Sequence, residues 1–437
     1  MANRMNILFD AKIFIEYYFG DMRYLRGGVF YVAYNVFKKL KEQTDINITL
    51  AYGLEYRWSK RLKKIKKDIF FKNLNFVCID KFTECDYYKV YAKCYFANLS
   101  LLSIIKMAYN ISKYFFLKFL EIYFCYLCNN KKEIEKHHIY FSPFHAIPKN
   151  IKKNDKIKKF IIIYDAIDLF EKDMFIRERY RIIPNSVDKQ TYVFFISKCT
   201  RDDFLNYYKN KFDRDKTFIC YIASSNNFIP DYDRNKLNMV LKRSMNNDIV
   251  NKYALSICSM HPRKNVPFTI ECFLKFISKN IIDDLYFYLA GASLETIKNG
   301  IRPILQNFPK YNDKIVILGY IQDKDMNLIL SNALFFVYLS KYEGFGMPPL
   351  EAMQAGTPVI TSNNSSLPEV VGDAAISVDC EDENAVIKAF EDLYYNKDLR
   401  TQYIEKGLEQ AKFFNWNNTT KIMINAFYNS LGLSVFV

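Results

Sequence analysis

Apolar runs of strand length alternate with amphipathic helical stretches along most of this chain, and the alternation comes in two series. The first holds MNILFDA (5–11), INITLAY (46–52), IYFSPF (139–144), FIIIYDA (160–166) and YVFFIS (192–197). The second holds KYALSIC (252–258), LYFYLAGA (285–292), KIVILGYI (314–321), ALFFVYLS (333–340), PVITSN (358–363) and AAISVD (374–379). Strands that are apolar throughout belong to parallel sheets covered by helices on both faces. FYVAYNVFKKLKEQ (30–43) and VPFTIECFLKFISKN (266–280) supply such helices. The expected class is therefore α/β, two domains each on a mainly parallel sheet. The polar, Asn- and Asp-rich stretch 224–250 suggests where they divide. This gives a first domain over 1–225, a linker over 226–250, a second domain over 251–415 and a closing helical segment over 416–437.

Composition narrows the function classes. The chain has 437 residues with 50% hydrophobic and 25% charged, a globular balance with room for two cores. Its net charge of +15 is uneven. Residues 1–225 hold 41 Lys+Arg against 24 Asp+Glu, +17; the rest hold 21 against 23, −2. A basic first half suits anionic lipid headgroups or an anionic acceptor. No nucleic-acid-binding signature accompanies it, so no nucleic-acid partner is expected. Ten cysteines are scattered, and the lone CxxC, Cys125–Cys128, sits in an apolar run without a partner pair; free buried thiols are expected, and no metal site. His137 and His138 lie in a charged stretch and read as a solvated pair. No secretory signal pattern opens the sequence. The aromatic, lysine-interrupted segment 94–128 has a longest uncharged run of 12 residues, too short to span a bilayer, and reads as buried helices or a surface resting on a membrane.

The chemistry concentrates in KYEGFGMPPLEAMQAGTP, residues 341–358. It follows a strand and leads into a helix expected over Pro348–Ala355. Gly344 and Gly346 remove side-chain bulk before a helix N-terminus, where exposed N–H groups favour an anion such as a diphosphate. Glu343 and Glu351, eight positions apart, are acceptors suited to hydroxyls, and a sugar nucleotide carries hydroxyls on both sides of its diphosphate. In open α/β sheets ligands bind at the carboxyl ends of strands. That makes Gly27, Gly28, Ser142, His145, Asp165 and Ser197 rim candidates in the first domain. Asp323-Lys324-Asp325 follows a strand end after Gly319 and reads as a helix cap rather than a metal pair.

The E-x7-E pattern with its GFG-x-P interior resembles the retaining glycosyltransferases of the GT-B fold, family 4 (glycosyl transferases group 1). The run ALSICSMHPRKNVPFTIECF is similar to that family's strand-loop-helix ending in R-K-N, ISKCTRDDFLNYY resembles a segment near its domain junction, and FFNWNNTTKIMINAFYNSL resembles its closing helix. The resemblance implies two Rossmann-like domains facing across a cleft, with the last helix returning to the first domain. It implies that Glu343 contacts the transferred sugar, that Glu351 binds the ribose and that Lys264, beside Arg263, grips the diphosphate. The donor site would also include Gly319, Tyr320, Gly344, Phe345, Gly346 and Met347. Gly27, Gly28 and His145 would lie on the acceptor side, and Asp165 would stand by the chemistry. Three positions depart from the family pattern: Cys258 and Ser259 replace a usual glycine and a frequent basic residue, and Tyr164 stands before Asp165 where the family often has histidine.

The implied activity is metal-independent, retaining hexosyl transfer from a nucleotide sugar, with no cofactor. GDP-mannose is the first expectation, because the HPRKN form is similar to mannosyl- and rhamnosyltransferases of bacterial surface polysaccharides. The acceptor would be a glycan or a polyprenyl-diphosphate-linked sugar. The enzyme would then be cytoplasmic, peripheral at the inner face of the cytoplasmic membrane. The alternative is a GT-B module that binds nucleotide sugar or membrane without turnover.

Overall fold

The computed structural model describes residues 4–17, 28–53, 60–67, 71, 73–80, 131–170, 182–245, 252–291 and 293–433. The chain forms two compact units. One comprises Met1–Tyr221 with Trp416–Val437, and the other Ile222–Asn415.

The first unit is built on seven strands: β1 (Met5–Asp10), β2 (Ile46–Gly53), β3 (Asn75–Asp80), β4 (Ile139–Ser142), β5 (Lys158–Ile163), β6 (Tyr192–Phe195) and β7 (Thr217–Ile219). Their order is β3-β2-β1-β4-β5-β6-β7, and every pairing is parallel. Ile7, Leu8 and Phe9, neighbours on β1, are all fully buried, so both faces of that strand are covered. Sequence periodicity missed β3 and β7, the two edge strands. Aromatic residues fill this core. Phe9, Phe14, Phe37 and Phe71 meet at 5.2–5.7 Å between centroids. Phe427, on the helix Trp416–Ser430, packs edge-on against Phe141, Phe160 and Phe194 of three adjacent strands, at 5.6, 4.7 and 5.9 Å. Trp416 on the same helix meets Tyr31 of the helix Gly28–Lys41, and the Tyr428 hydroxyl donates to Asp45. The last helix is thus part of the first unit's core.

His137 is buried rather than solvated. The short helix Lys131–Ile134 ends beside it, and its ring turns back to the carbonyls of Glu133 and Ile134 at 3.1 and 3.2 Å. Burial lowers its pKa. His138 is exposed and accepts the Asn6 N–H at 2.9 Å.

The second unit has six strands: β8 (Lys252–Cys258), β9 (Leu285–Gly291), β10 (Ile315–Gly319), β11 (Phe335–Tyr338), β12 (Val359–Ser362) and β13 (Ile376–Val378). Their order is β10-β9-β8-β11-β12-β13, again all parallel. The stretch expected to be a linker contains the helix Arg234–Met245 and belongs to this unit. Leu237, Val240 and Leu241 are buried at helical spacing, an apolar stripe that the Asn- and Asp-rich composition obscured.

In each sheet the strand order reverses direction once: between β1 and β4 in the first unit, and between β8 and β11 in the second. At such a switch point the following loops diverge to opposite faces and leave a crevice at the carboxyl ends. His145 follows β4, and Arg263, Lys264 and Glu343 follow β8 and β11, on such loops; Asp165 and Ser197 follow β5 and β6, and Gly319 and Tyr320 lie at the end of β10, away from the switch points. The segment 94–128 and Gly27 lie outside the described residues. Among those residues no helix is long and apolar enough to cross a membrane.

Candidate functional site

The loop after β8 turns sharply. One 3-10 turn spans Pro262–Lys264, and Asn265 follows in the left-handed region at φ 55°. Asn265 is held there by donating its amide to the Cys380 carbonyl at 2.8 Å, and the helix Val266–Lys279 begins beyond it. The loop after β11 runs from Leu339 to Gly346 before the helix Met347–Gln354. Backbone contacts join the two loops across the switch point. The Lys341 N–H donates to the Arg263 carbonyl at 2.7 Å, and the Ser340 hydroxyl faces the same oxygen at 3.0 Å.

This joining brings three predicted residues onto one atom. Lys264 Nζ lies 2.5 Å and Arg263 Nη1 2.8 Å from Glu343 Oε1. Tyr338, at the end of β11, donates its hydroxyl to the same oxygen at 2.9 Å. Lys264 also donates to the Tyr338 hydroxyl and lies 4.9 Å from the ring centroid. Glu343 is only 8% exposed. Burial alone would raise its pKa, but the charges of Lys264 and then Arg263 outweigh it, and the carboxyl is held below the usual range. The cluster is a pair of cations sharing one carboxylate.

Gly346 has φ +129°, and a Cβ there would lie 2.9 Å from Leu367 Cδ2, so conformation and space both call for glycine. The helix that follows offers less to an anion than the sequence suggested. Pro348 and Pro349 carry no N–H, and Leu350 donates to the Gly346 carbonyl, so only Met347 contributes an N–H from the first three helical positions. Any anion cradle here is made by the loop and the two cations more than by the helix. Phe345 is buried against Phe414 at 5.6 Å, which places it in the packing of the loop.

Glu351 sits one turn into the helix, half-buried, and makes no hydrogen bond to the described residues through its carboxyl group. Burial first, and the Asp323 charge second, push its pKa up to about 8. Asp323 and Asp325 occupy the first turn of the helix Asp323–Ser331, where negative charge is favoured, while Gln322 takes the cap position. Gly319 closes β10 at φ 69° with Leu294 packed against it, and Tyr320 beyond it is 57% exposed.

In the first unit, His145 follows β4. Its Nε2 lies 3.1 Å from Glu16 Oε2, and its Nδ1 is buried with no hydrogen-bond partner among the described residues. Asp165, after β5, accepts the Ile167 N–H at 3.3 Å and so caps the turn it begins. Tyr164 donates its hydroxyl to the Pro143 carbonyl at 2.9 Å, a bond between the loops that follow β4 and β5. Gly28 starts the helix Gly28–Lys41, and a Cβ there would meet nothing within 4 Å. Asp10, also at the β1–β4 switch point, is fully buried, with its oxygens taken by the Lys12 N–H and the Tyr140 hydroxyl.

Sequence reasoning missed Tyr338, Ser340, Ser365 and Ser366, which surround Glu343. Tyr338 alone carried a signal, a polar-tipped ring at the end of an otherwise apolar strand.

Residues 242–410 match the family model described as Glycosyl transferases group 1. The O-antigen chain mannosyltransferase B of Escherichia coli is 29% identical over 298 residues, covering 67% of this chain and 74% of that one. The serotype-specific mannosyltransferase WbdA of Escherichia coli is 25% identical over 279 residues, 62% of this chain, which spans only 33% of WbdA's length. A solved glycosyltransferase from Rickettsia africae ESF-5 superposes with a TM-score of 0.62 over 99% of this chain and 100% of that one, at 14% identity. That likeness is one of fold, and the fold is GT-B.

Proposed function

We propose that this chain, a hexosyltransferase of the glycosyl transferases group 1 that resembles mannosyltransferases, transfers mannose from GDP-mannose to a growing surface glycan, free or lipid-linked, with retention of configuration and without a metal. The observation that carries the proposal is the convergence of Arg263, Lys264 and Glu343 at the β8–β11 switch point. A departing nucleoside diphosphate gathers negative charge as the glycosidic bond breaks, while the sugar becomes oxocarbenium-like. Lys264 and Arg263 are the cations that would take up that charge in a water-poor site. Glu343 would orient the sugar hydroxyls, and Glu351 would meet the ribose. Mannose as the sugar is supported by the two relatives, one named as an O-antigen chain mannosyltransferase and the other as a serotype-specific mannosyltransferase.

On the acceptor side, Asp165 and His145 stand at the carboxyl ends of the first unit's strands, and Gly28 begins its first long helix. Peripheral attachment to the inner face of the cytoplasmic membrane is supported by the helix Lys60–Lys67, on which Lys63, Lys64 and Lys66 are exposed above buried Leu62 and Ile65.

A thermal-shift panel of GDP-, UDP- and dTDP-sugars tests the donor, since a ligand at a hundred times its Kd stabilises by about 2.7 kcal/mol. GDP-mannose should raise Tm most, and the same protein should transfer labelled mannose to a lipid-linked acceptor. Selective stabilisation by a UDP-sugar would overturn the donor assignment.

A further inference from the structure

Glu343 occupies a stretch with little intrinsic stiffness. Gly344 follows it directly, and Gly346 lies just beyond at φ +129°. Yet both polar backbone groups of Glu343 are tied to one neighbouring segment, Asn363–Ser366, which follows β12. The Glu343 N–H donates to Ser365 Oγ at 3.1 Å. The Ser366 hydroxyl lies 2.9 Å from the Glu343 carbonyl and 2.6 Å from that of Phe345, and Ser366 is fully buried. One layer back, the Ser362 hydroxyl donates to the Ser340 carbonyl at 2.6 Å, and Ser340 in turn reaches the Arg263 carbonyl. Hydroxyls from the β12 loop therefore brace the Glu343 backbone directly and the Arg263–Lys264 loop through Ser340.

Ser365 stands at φ +51°, in the left-handed region that residues other than glycine enter at a cost. Glycine would sit there without strain. What serine adds is the oxygen that receives the Glu343 amide.

We propose that Ser365 and Ser366 are positioning residues, which aim the Glu343 carboxylate by fixing the peptide planes on either side of it. The inference rests on the role proposed above for Glu343. It predicts that losing either hydroxyl lowers turnover without weakening nucleotide binding, because the Glu351 contact lies elsewhere on the helix Met347–Gln354 and a carboxylate aimed less well competes no better for the two cations.

Ser365→Gly separates aiming from folding, since it relieves the strained φ while removing the hydroxyl. Turnover is measured with GDP-mannose, or with whichever of GDP-mannose, UDP-glucose and dTDP-rhamnose the wild-type protein hydrolyses fastest. The matching nucleoside diphosphate serves for affinity, and Tm for folding. Ser365→Gly should keep or raise Tm and should not weaken nucleotide affinity, while kcat falls about tenfold, the equivalent of one hydrogen bond in the transition state. Ser366→Ala should lower kcat at least as much. Its stability loss is matched by Thr357→Val, which removes a buried hydroxyl bond to the Leu330 carbonyl, 2.6 Å long, at the far end of that helix and should keep full kcat. Full kcat in Ser365→Gly, or an equal fall in Ser366→Ala and Thr357→Val, would overturn the proposal. Glu343→Gln with full turnover would remove the reading beneath it, and a wild-type protein inert to all three donors would remove both.

Discussion

Replacing Glu343 by glutamine tests the site more sharply than removing either cation. In the structure Lys264 and Arg263 are already occupied, at 2.5 and 2.8 Å, by the Glu343 carboxylate. A donor diphosphate that takes up the same cations must approach within a few ångströms of that carboxylate. Two unit charges about 5 Å apart repel by roughly 3 kcal/mol at an effective dielectric of about 20, and site water reduces this to about half. Glutamine keeps the shape and removes the repulsion. The nucleoside diphosphate that the wild-type protein binds best should therefore bind Glu343→Gln tighter, by roughly tenfold or more, since each factor of ten is about 1.4 kcal/mol. The ligand-free variant should melt lower, because two half-buried cations lose their counter-charge. Turnover should fall at least a hundredfold, with the sugar no longer held. Titration calorimetry at fixed ionic strength, with melting curves beside it, measures all but turnover. Unchanged or weaker nucleotide affinity would refute the claim that Glu343 competes with the donor for the cations.

The two glutamates should respond to pH in opposite senses. The Glu351 carboxyl is pushed up to about 8 from 4.5, so the folded protein holds an extra proton between those values and loses stability as pH rises through that window. The Tm of the wild-type protein should thus fall from pH 5.5 to 8 relative to Glu351→Gln, and parallel curves would dismiss the shift. Glu343, held low by its cations, contributes stability above the unfolded carboxylate range that is lost on acidification. Phe427→Ala should cost about 3–5 kcal/mol in a denaturant titration, the usual loss for a buried phenylalanine, and a loss below about 1 kcal/mol would mean that the last helix does not hold the first unit's core. Chelation by EDTA should leave sugar transfer intact; activity that vanished and returned with Mn²⁺ would contradict charge neutralisation by Lys264 and Arg263. Flotation should recover the protein with anionic but not neutral vesicles, more weakly at high salt, and equal recovery with both would deny the basic half a membrane role.

Much of the architecture was legible because parallel strands buried on both faces leave unmixed apolar runs. The edge strands leave weaker ones: β7 is three half-buried residues, and β3 buries Val77, Cys78 and Ile79 beside exposed Asn75. The donor loop was legible because glycine, proline and carboxylate at fixed spacing have few joint uses. Its bracing was not, for a physical reason. Lys264 and Glu343 are 79 positions apart, and Ser365 reaches the Glu343 amide across 22, so these contacts exist only once β8, β11 and β12 are side by side. A serine in such a loop looks like any solvated turn residue. The weak N-terminus of the helix Met347–Gln354, by contrast, could have been foreseen: two prolines in its first turn remove two donors whatever the fold. The helix Arg234–Met245 was hidden by composition, since three apolar residues on one face suffice to bury it.

The interleaving of the chain has a consequence for how the protein is made. Ile222–Asn415 is inserted within the unit it interrupts, and Phe427, which packs edge-on against Phe141, Phe160 and Phe194, leaves the ribosome only after the whole inserted unit. A nascent chain ordinarily completes its N-terminal domain first. Here the order is reversed: the inserted unit has all its strands while the first still lacks the ring that packs on Phe141, Phe160 and Phe194. During that interval β4, β5 and β6 present uncovered phenylalanines to solvent, so chaperone demand should persist while the inserted unit is made and fall only when the helix Trp416–Ser430 emerges.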